Sequence, residues 1–316
     1  MQRMKAAICT KYGPPEVLKI VERDKPIPKD DEVLIKVFAA SVTNSDIFVR
    51  SSAIPLRFRI PMRIMIGITR PRNDILGEVL SGEIVQVGSR IRRLHVGDRI
   101  FGLTGFSLGA YADYKCMKEI DSKQGCIALK PRNISFEDAT SAAYGGLLAV
   151  QYLEKGNIQT KEKVLIYGAS GTSGTIAVQY AKYLGAEVTG VCSAEKADFV
   201  RSLGADKILD YTSKDSIAKL EPYDFILDSV GKARTSALKE ACKTFVSQKD
   251  KFVSIDDGPL QLNSERLERI RELVEASTVI PITDRCFPFE QIIEAHKYVE
   301  LGHKRGNVAI TVNRVL

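Results

Sequence analysis

Residues 164–193 read VLIYGASGTSGTIAVQYAKYLGAEVTGVCS, and this stretch decides the fold. Val164 to Tyr167 form an apolar run that enters a glycine-rich turn, and helical spacing then continues as far as Gly185. Glu187 to Cys192 supplies a second β-rich run. The stretch therefore predicts a βαβ unit of about thirty residues.

The turn reads ASGTSG rather than the common G-x-G-x-x-G. Glycines in such a turn let the backbone approach a pyrophosphate, and the free N–H groups at the helix start hold its oxygens. A turn that serves only helix packing would also use small residues, but the flanking strands and helix favour a dinucleotide cradle. The predicted cradle residues are Ala169, Ser170, Gly171, Thr172, Ser173 and Gly174.

The residues at the end of the second strand indicate whether such a fold binds NAD or NADPH. An acid there would bind the ribose of NAD and repel a 2′-phosphate, but the chain continues as Ser193-Ala194-Glu195-Lys196. The Ser193 hydroxyl and the Lys196 ammonium suit a phosphate, so NADPH is the predicted cofactor. Lys196 as a solvated residue of the next helix is the alternative.

Composition places the chain among ordinary globular proteins. With 316 residues and 44% hydrophobic content it is long enough for two domains. No run of eighteen apolar residues and no apolar signal-peptide core occur, so we expect a cytoplasmic protein without a membrane partner. The net charge of +7 suits an anionic cofactor, with nucleic acid as a less favoured partner.

Metal binding is not expected. The six cysteines contain no C-x-x-C pair, and none of the three histidines lies near a cysteine in the sequence.

Residues 1–48 predict short β-strands that end in a polar loop. Asn44 and Asp46 in this loop are candidate active-site residues, or they cap the helix that follows; both interpretations stay open. Together with Asp46, Tyr144 and Tyr111 are candidate proton donors, and protonation by solvent is the alternative.

Residues 50–72 combine several arginines with apolar residues and no acid. Such a segment could form a flap over an anionic pocket, a wall of that pocket, or a solvated loop. The arginines are Arg50, Arg57, Arg59, Arg63, Arg70 and Arg72.

Strands and helices continue to alternate after Ser193, which predicts a parallel sheet covered on both faces, an α/β fold. The final segment predicts an amphipathic helix and a closing strand that returns to the β domain.

With these segments in view, the sequence closely resembles the medium-chain dehydrogenase/reductase superfamily, in particular its zinc-free quinone oxidoreductase (zeta-crystallin-like) branch. The matching segments are ILGEVLSGEIVQVG, HVGDRIFG, GAYADY, residues 164–191, SLGADKILDY, YDFILDSVG and EAHKYVELGHKRGNVAITV. The resemblance implies a GroES-like β-barrel domain from both chain ends (residues 1–145 and 284–316) and a doubly wound Rossmann domain (residues 146–283). It also implies NADPH bound in the cleft between the domains.

Site residues follow from the resemblance where the sequence matches. Lys196 and Tyr211 fall where relatives hold the 2′-phosphate, and Asn44 matches the polar loop beside the nicotinamide. Val230 and Ser254 complete the predicted cofactor-binding set. The metal-dependent branch would show Gly-His-Glu at the start of the hairpin, whereas this chain reads Gly77-Glu78-Val79, which predicts independence from zinc.

The implied reaction is hydride transfer from C4 of NADPH to a quinone or an α,β-unsaturated carbonyl. The alternatives are an enoyl thioester reductase, whose phosphorylated carrier the arginine segment could hold, and a non-catalytic NADPH- or RNA-binding protein.

Assembly is expected to depart from that of relatives. The segment DDGPLQLN is too short for an extra edge strand and its connections. The edge beside KFVSI would then be covered by TVIPITD, by a loop or by another subunit contact, and we predict a monomer or an atypical homodimer.

Overall fold

The computed structural model describes residues 2–52, 63 and 66–314. The chain divides into two compact units. The first unit comprises Met1–Ala143, Leu262–Glu268 and Thr283–Leu316, and the second comprises Tyr144–Gln261 and Arg269–Ile282.

The strands and α-helices have the following bounds. The strands are β1 (Arg3–Cys9), β2 (Leu18–Asp24), β3 (Glu32–Ser41), β4 (Val79–Val87), β5 (Arg99–Leu103), β6 (Tyr114–Lys118), β7 (Cys126–Leu129), β8 (Lys163–Tyr167), β9 (Glu187–Cys192), β10 (Lys207–Asp210), β11 (Phe225–Asp228), β12 (Phe252–Ser254), β13 (Thr283–Pro288) and β14 (Asn307–Thr311). The helices are α1 (Asn44–Ser51), α2 (Phe136–Glu154), α3 (Thr172–Tyr183), α4 (Ala197–Ser202), α5 (Ala237–Cys242), α6 (Ser264–Glu275) and α7 (Ile292–Glu300).

The first unit is built around a mixed sheet in which β3 is the central strand. The sheet order is β13-β14-β3-β4-β5-β7, with β6 also paired to β3. Strand β3 is almost continuously apolar because both its faces are buried. The closing strand β14 pairs antiparallel with β3, and Ala309 lies opposite Ser41. The last strand thus returns to the β domain, as predicted.

The second unit contains a parallel sheet of order β10-β9-β8-β11-β12. This is the order of a dinucleotide-binding half-sheet, in which the chain builds outward from β8 to β10 and then crosses to the other side of β8 as β11. The carboxyl ends of the five strands meet at one edge, at Tyr167, Cys192, Asp210, Asp228 and Ser254. The predicted α/β fold with a separate β domain is confirmed.

Three elements differ in detail from the sequence-based expectation. Helix α5 begins at Ala237 rather than near residue 232, because the Ser236 hydroxyl caps it by accepting the Lys239 N–H at 3.1 Å. Segment Leu262–Glu268 groups with the first unit, where the Asp121 carboxylate accepts the Ser264 N–H at 2.7 Å.

The segment TVIPITD does not cover the sheet edge at β12. Among the described residues β12 is paired on one side only, and Thr283 and Asp284 open a strand of the first unit that pairs with β14. Ile280 instead exchanges hydrogen bonds with the Gln179 side chain on α3. Of the three expected covers, TVIPITD is therefore excluded.

Candidate cofactor and active site

The turn after β8 has the geometry of an anion cradle. Gly168 has a φ of 83°, which favours glycine, and a Cβ on Gly174 would lie 2.1 Å from the Gly168 carbonyl oxygen. Glycine at 174 therefore lets α3 pack directly on the turn. Helix α3 starts after Gly171 without a side-chain cap, so its first amides point to a site that suits a pyrophosphate.

The other predicted cradle residues lie in the same turn. The Ala169 N–H donates to the Val191 carbonyl at 3.0 Å, which fixes the turn against β9. The Ser173 hydroxyl lies 2.5 Å from that of Ser229, at the end of β11. Ser170 and Thr172 complete the turn and are nearly buried. The structure thus brings the whole predicted segment together.

The residues predicted to hold a 2′-phosphate follow the ends of two neighbouring strands, β9 and β10. Ser193 and Lys196 follow β9, with the Lys196 N–H donating to the Ser193 carbonyl at 2.9 Å. Tyr211 follows β10, is 47% exposed, and donates its N–H to the Cys192 carbonyl at 3.2 Å. The carboxylate of neighbouring Asp210 accepts hydrogen bonds from the amide and hydroxyl of Thr212. The carboxylate of Asp210, an acid at this edge of the sheet, is thus engaged by hydrogen bonds from Thr212.

Val230 and Ser254 are joined by a buried charged network at the ends of β11 and β12. The Asp228 carboxylate accepts the Val230 N–H at 3.1 Å and the Ser254 hydroxyl at 3.0 Å. The Lys239 ammonium lies 2.7 Å from the same carboxylate and donates to the Gly231 carbonyl at 2.7 Å and the Arg234 carbonyl at 2.9 Å. The network fixes the loop that carries Val230.

In the first unit, Asp46 is a helix-capping residue. Its carboxylate accepts the Thr43 N–H at 2.9 Å, and its own N–H donates to the Thr43 hydroxyl, which forms a capping box for α1. It also accepts the Gly77 N–H at 3.1 Å. Asn44 opens the same helix and is exposed. The capping interpretation of Asp46 is correct, and a role in catalysis stays a prediction for both residues.

Glu78 stands directly beyond Gly77 and was not predicted as a site residue. Its Oε2 is enclosed and has no hydrogen-bond partner within the described ranges. Burial, and then the charge of Asp46, raise the pKa of Glu78 from 4.5 to about 7, and a hydrogen bond from the Ser45 hydroxyl opposes this shift. Burial also raises the pKa of Asp46, against the hydrogen bonds from Thr43, Tyr111 and Gly77.

Tyr111 and His296 border this carboxyl pair. The Tyr111 hydroxyl donates to the Ser41 carbonyl at 3.0 Å and also contacts Asp46; burial raises its pKa well above the usual value. The His296 ring packs edge-on against Tyr111 with centroids 5.7 Å apart. Burial and the charge of Arg50 lower the pKa of His296 to about 3, so the ring is neutral. Both of its nitrogens lack partners among the residues with described positions.

The arginine segment begins with a structural residue. Arg50 is fully buried, donates to the Gly13 carbonyl at 2.7 Å and pairs with Glu300 on α7. For this residue the flap, pocket-wall and solvated-loop interpretations are wrong, because its side chain is fully buried and bonded to Gly13 and Glu300 within the first unit. Arg57 and Arg59 lie outside the described residues.

Tyr144 lies within α2, is half-buried, and belongs to the second unit. Asp46 and Tyr111, the other candidate proton donors, belong to the first unit. A role for Tyr144 in proton transfer stays a prediction.

The part of the chain that the structure describes contains neither a metal-binding cluster nor a membrane-spanning helix. No group of three or more histidine, cysteine or acidic side chains lies close enough to hold a metal ion. No helix in the same residues has the length and apolar character needed to cross a membrane.

Comparison with known proteins agrees with the fold. The model for the alcohol dehydrogenase GroES-like domain matches residues 29–130, and two models described as zinc-binding dehydrogenase match residues 174–245 and 257–310.

Individual relatives match over nearly the whole chain. The NAD(P)H oxidoreductase RTN4IP1, mitochondrial, of Bos taurus is 33% identical, over 98% of this chain and 89% of its own length. The NADPH-dependent alkenal/one oxidoreductase, chloroplastic, of Arabidopsis thaliana is 29% identical, over 98% of this chain and 80% of its own. The structure of the quinone oxidoreductase from Coxiella burnetii superposes with a TM-score of 0.83 at 27% identity, covering 99% of this chain and all of that one.

The chain belongs to the medium-chain dehydrogenase/reductase superfamily, which confirms the family predicted from its sequence segments. The names of the two relatives refer to mitochondria and chloroplasts, so the cytoplasmic location stays a prediction.

Proposed function

We propose that this protein is an NADPH-dependent reductase of quinones or α,β-unsaturated carbonyls. The observation that carries the proposal is the cradle after β8 together with Ser193, Lys196 and Tyr211 at the ends of two neighbouring strands. The Bos taurus, Arabidopsis thaliana and Coxiella burnetii relatives are named NAD(P)H, alkenal/one and quinone oxidoreductases, which supports the same reaction class.

Different residues of the second unit would bind different parts of the cofactor. The uncapped start of α3 and the close approach allowed by Gly174 suit the pyrophosphate. The Lys196 ammonium with the hydroxyls of Ser193 and Tyr211 would hold the 2′-phosphate. The Asp228 network would position the loop with Val230 beside the cofactor. When bound, the nicotinamide supplies the hydride.

Lys196→Ala tests the choice of NADPH over NADH. We expect NADPH binding to weaken by about 1 to 3 kcal/mol, as for one charge-assisted contact, with NADH binding nearly unchanged. Cofactor fluorescence titrations measure both. Lys214→Ala, which changes an exposed lysine just beyond Tyr211, is the matched control. Equal weakening of both cofactors by Lys196→Ala would contradict the phosphate role.

Independence from zinc is part of the proposal. Glu78 stands where the metal-dependent pattern has histidine, and the described residues bring no metal-binding group together. Neither a chelator nor added zinc should change the rate of NADPH oxidation. Stoichiometric zinc in purified active protein would contradict this expectation.

The substrate class is tested with a panel. NADPH oxidation is measured with quinones, simple enones and crotonyl thioesters. Turnover of quinones or enones well above that of thioesters is expected. A strong preference for thioesters would favour the enoyl thioester reductase, and no turnover with any of them would favour a binding protein.

A further inference from the structure

The buried carboxyl pair of the first unit has a feature that the capping role of Asp46 leaves unexplained. Asp46 uses its oxygens to accept hydrogen bonds from Thr43 and Gly77. Glu78 receives a hydrogen bond from Ser45, and its enclosed Oε2 has no partner in the described part of the chain. A carboxylate in that position would be desolvated and close to a second acid, so the neutral, protonated form is favoured.

The surrounding charged groups do not relieve this situation. Asp46 faces Glu78 from α1 and repels its charged form. Arg50, whose charge acts on Tyr111 and His296 of this cluster, pairs with Glu300 and the Gly13 carbonyl instead. His296 is neutral, and Tyr111 keeps its proton. The carboxyl of Glu78 therefore exchanges a proton near neutral pH.

Position links Glu78 to the proposed reaction. Ser45, which contacts Glu78, lies between Asn44 and Asp46, the two residues of the loop predicted to lie beside the nicotinamide. Gly77, directly before Glu78, donates its N–H to Asp46. The two backbone segments thus hold the carboxyl of Glu78 against the predicted active-site loop.

We propose that the Glu78 carboxylic acid is the proton donor that completes the reduction of an α,β-unsaturated carbonyl. This inference rests on the proposed function. Hydride adds to the β-carbon of the enone, and the electron pair of the C=C bond moves to form an enolate. The O–H bond of Glu78 then breaks as a C–H bond forms at the α-carbon. The Glu78 carboxylate takes a proton back from solvent before the next turnover.

Quinone reduction serves as the comparison for enone reduction, because a reduced quinone needs no proton donor from the protein. Hydride reduction of a quinone gives a hydroquinone anion, whose oxygen is protonated rapidly by water. An enolate must be protonated on carbon, which is slow without a positioned acid. Loss of Glu78 should therefore affect the two substrates differently.

The central experiment compares Glu78→Gln with wild type on 2-cyclohexen-1-one and 1,4-benzoquinone, each with NADPH. We expect the enone kcat to fall by about 10² to 10⁴, as for loss of a general acid, and the quinone kcat to stay close to wild type. In wild type the enone kcat/KM should decline above about pH 7, and this alkaline limb should be absent in Glu78→Gln. Glu83→Gln, on strand β4 that begins directly after Glu78, lies at a more exposed position; it is the matched control and should change neither rate.

Two measurements separate proton donation from a structural role. In D₂O, wild type should deliver deuterium to one face of the α-carbon of a prochiral enone, and Glu78→Gln should lose this face preference. Infrared difference spectra on raising the pH should show a protonated carboxyl band that disappears in the same variant. NADPH affinity should be unchanged in Glu78→Gln.

Several outcomes would overturn the inference. An unchanged enone rate, retained face preference, or an equal loss with both substrates in the folded variant would each exclude Glu78 as the donor. If Glu78→Gln does not fold, Glu78→Asp keeps an acid at a longer distance, and absence of an alkaline limb in that variant would exclude the role. Quinone turnover without enone turnover in wild type would remove this step but leave the reductase, whereas no NADPH oxidation with either substrate would contradict the proposed function itself.

Discussion

Each unit encloses a carboxyl group at least in part, and the two units treat that group in opposite ways. Asp228 in the second unit meets the Lys239 ammonium, the Ser254 hydroxyl and backbone amides, so its charge is neutralised and its oxygens are occupied. Glu78 in the first unit lies close to another acid, and its enclosed Oε2 has no partner among the described residues. The first arrangement holds a loop in place, and the second leaves a proton available for transfer.

Burial alone therefore does not identify a functional acid. A buried ion pair with complete hydrogen bonding has little capacity to change its protonation near neutral pH. A buried carboxyl with incomplete hydrogen bonding has that capacity, at a cost to stability. The comparison can be tested by measuring stability separately at each carboxyl.

Lys239→Met should give the largest effect. It leaves the Asp228 carboxylate buried without its cation, which typically costs about 3 to 5 kcal/mol. The free energy of unfolding, from urea denaturation, measures this. The double variant Lys239→Met with Asp228→Asn should recover part of the loss, since the uncompensated charge is then gone. Little change in the single variant would show that the pair is not a structural element.

Glu78→Gln should alter the pH dependence of stability by a smaller amount. The folded-state pKa of Glu78 is raised from 4.5 to about 7, so its contribution is fully present below pH 4.5 and is lost as the pH rises through 7. Between about pH 5 and 8, wild type should lose about 2 kcal/mol more than the variant does. Parallel denaturation curves for the two proteins at several pH values decide this. An identical pH dependence would mean that Glu78 is ionised in the folded state.

His296→Leu should show the smallest effect, with the opposite sign. The folded-state pKa of His296 is lowered from 6.5 to about 3, so the contribution of the neutral ring is present above pH 6.5 and is lost as the pH falls towards 3. Over the first pH unit below 6.5, wild type should lose about 1 kcal/mol that the variant keeps. His303→Leu, which changes an exposed histidine beyond α7, serves as the control. A parallel loss in both variants would place the acid sensitivity elsewhere.

The sequence was sufficient to predict the parts of the molecule that depend on neighbours along the chain. The glycine turn with its flanking strand and helix lies within one βαβ unit, where spacing determines geometry, and Ser193 and Lys196 directly follow the second strand of that unit. Tyr211 and the family assignment came from the resemblance of whole segments.

Contacts between distant residues could not be predicted in this way. Arg50 pairs with Glu300, 250 residues later, and the sequence instead suggested an arginine that faces an anionic pocket or solvent. The pairing of Lys239 with Asp228 was missed for the same reason, although an acid at the end of the apolar run FIL could have indicated a buried partner. The sequence offered one signal for a functional role of Glu78: an acid stands there at the position where the metal-dependent branch has histidine.

The position of β14 within the sheet has a consequence for the order of folding during synthesis. Residues 307–311 lie between β13 and β3, so the first unit cannot complete its sheet until nearly the whole chain has left the ribosome. The second unit needs only residues 144–282 and can fold earlier. Its parallel sheet would then form while β3, already synthesised, still exposes the edge that β14 later occupies. Until β14 is added, the unpaired edge of β3 leaves the nascent first unit open to wrong strand pairing.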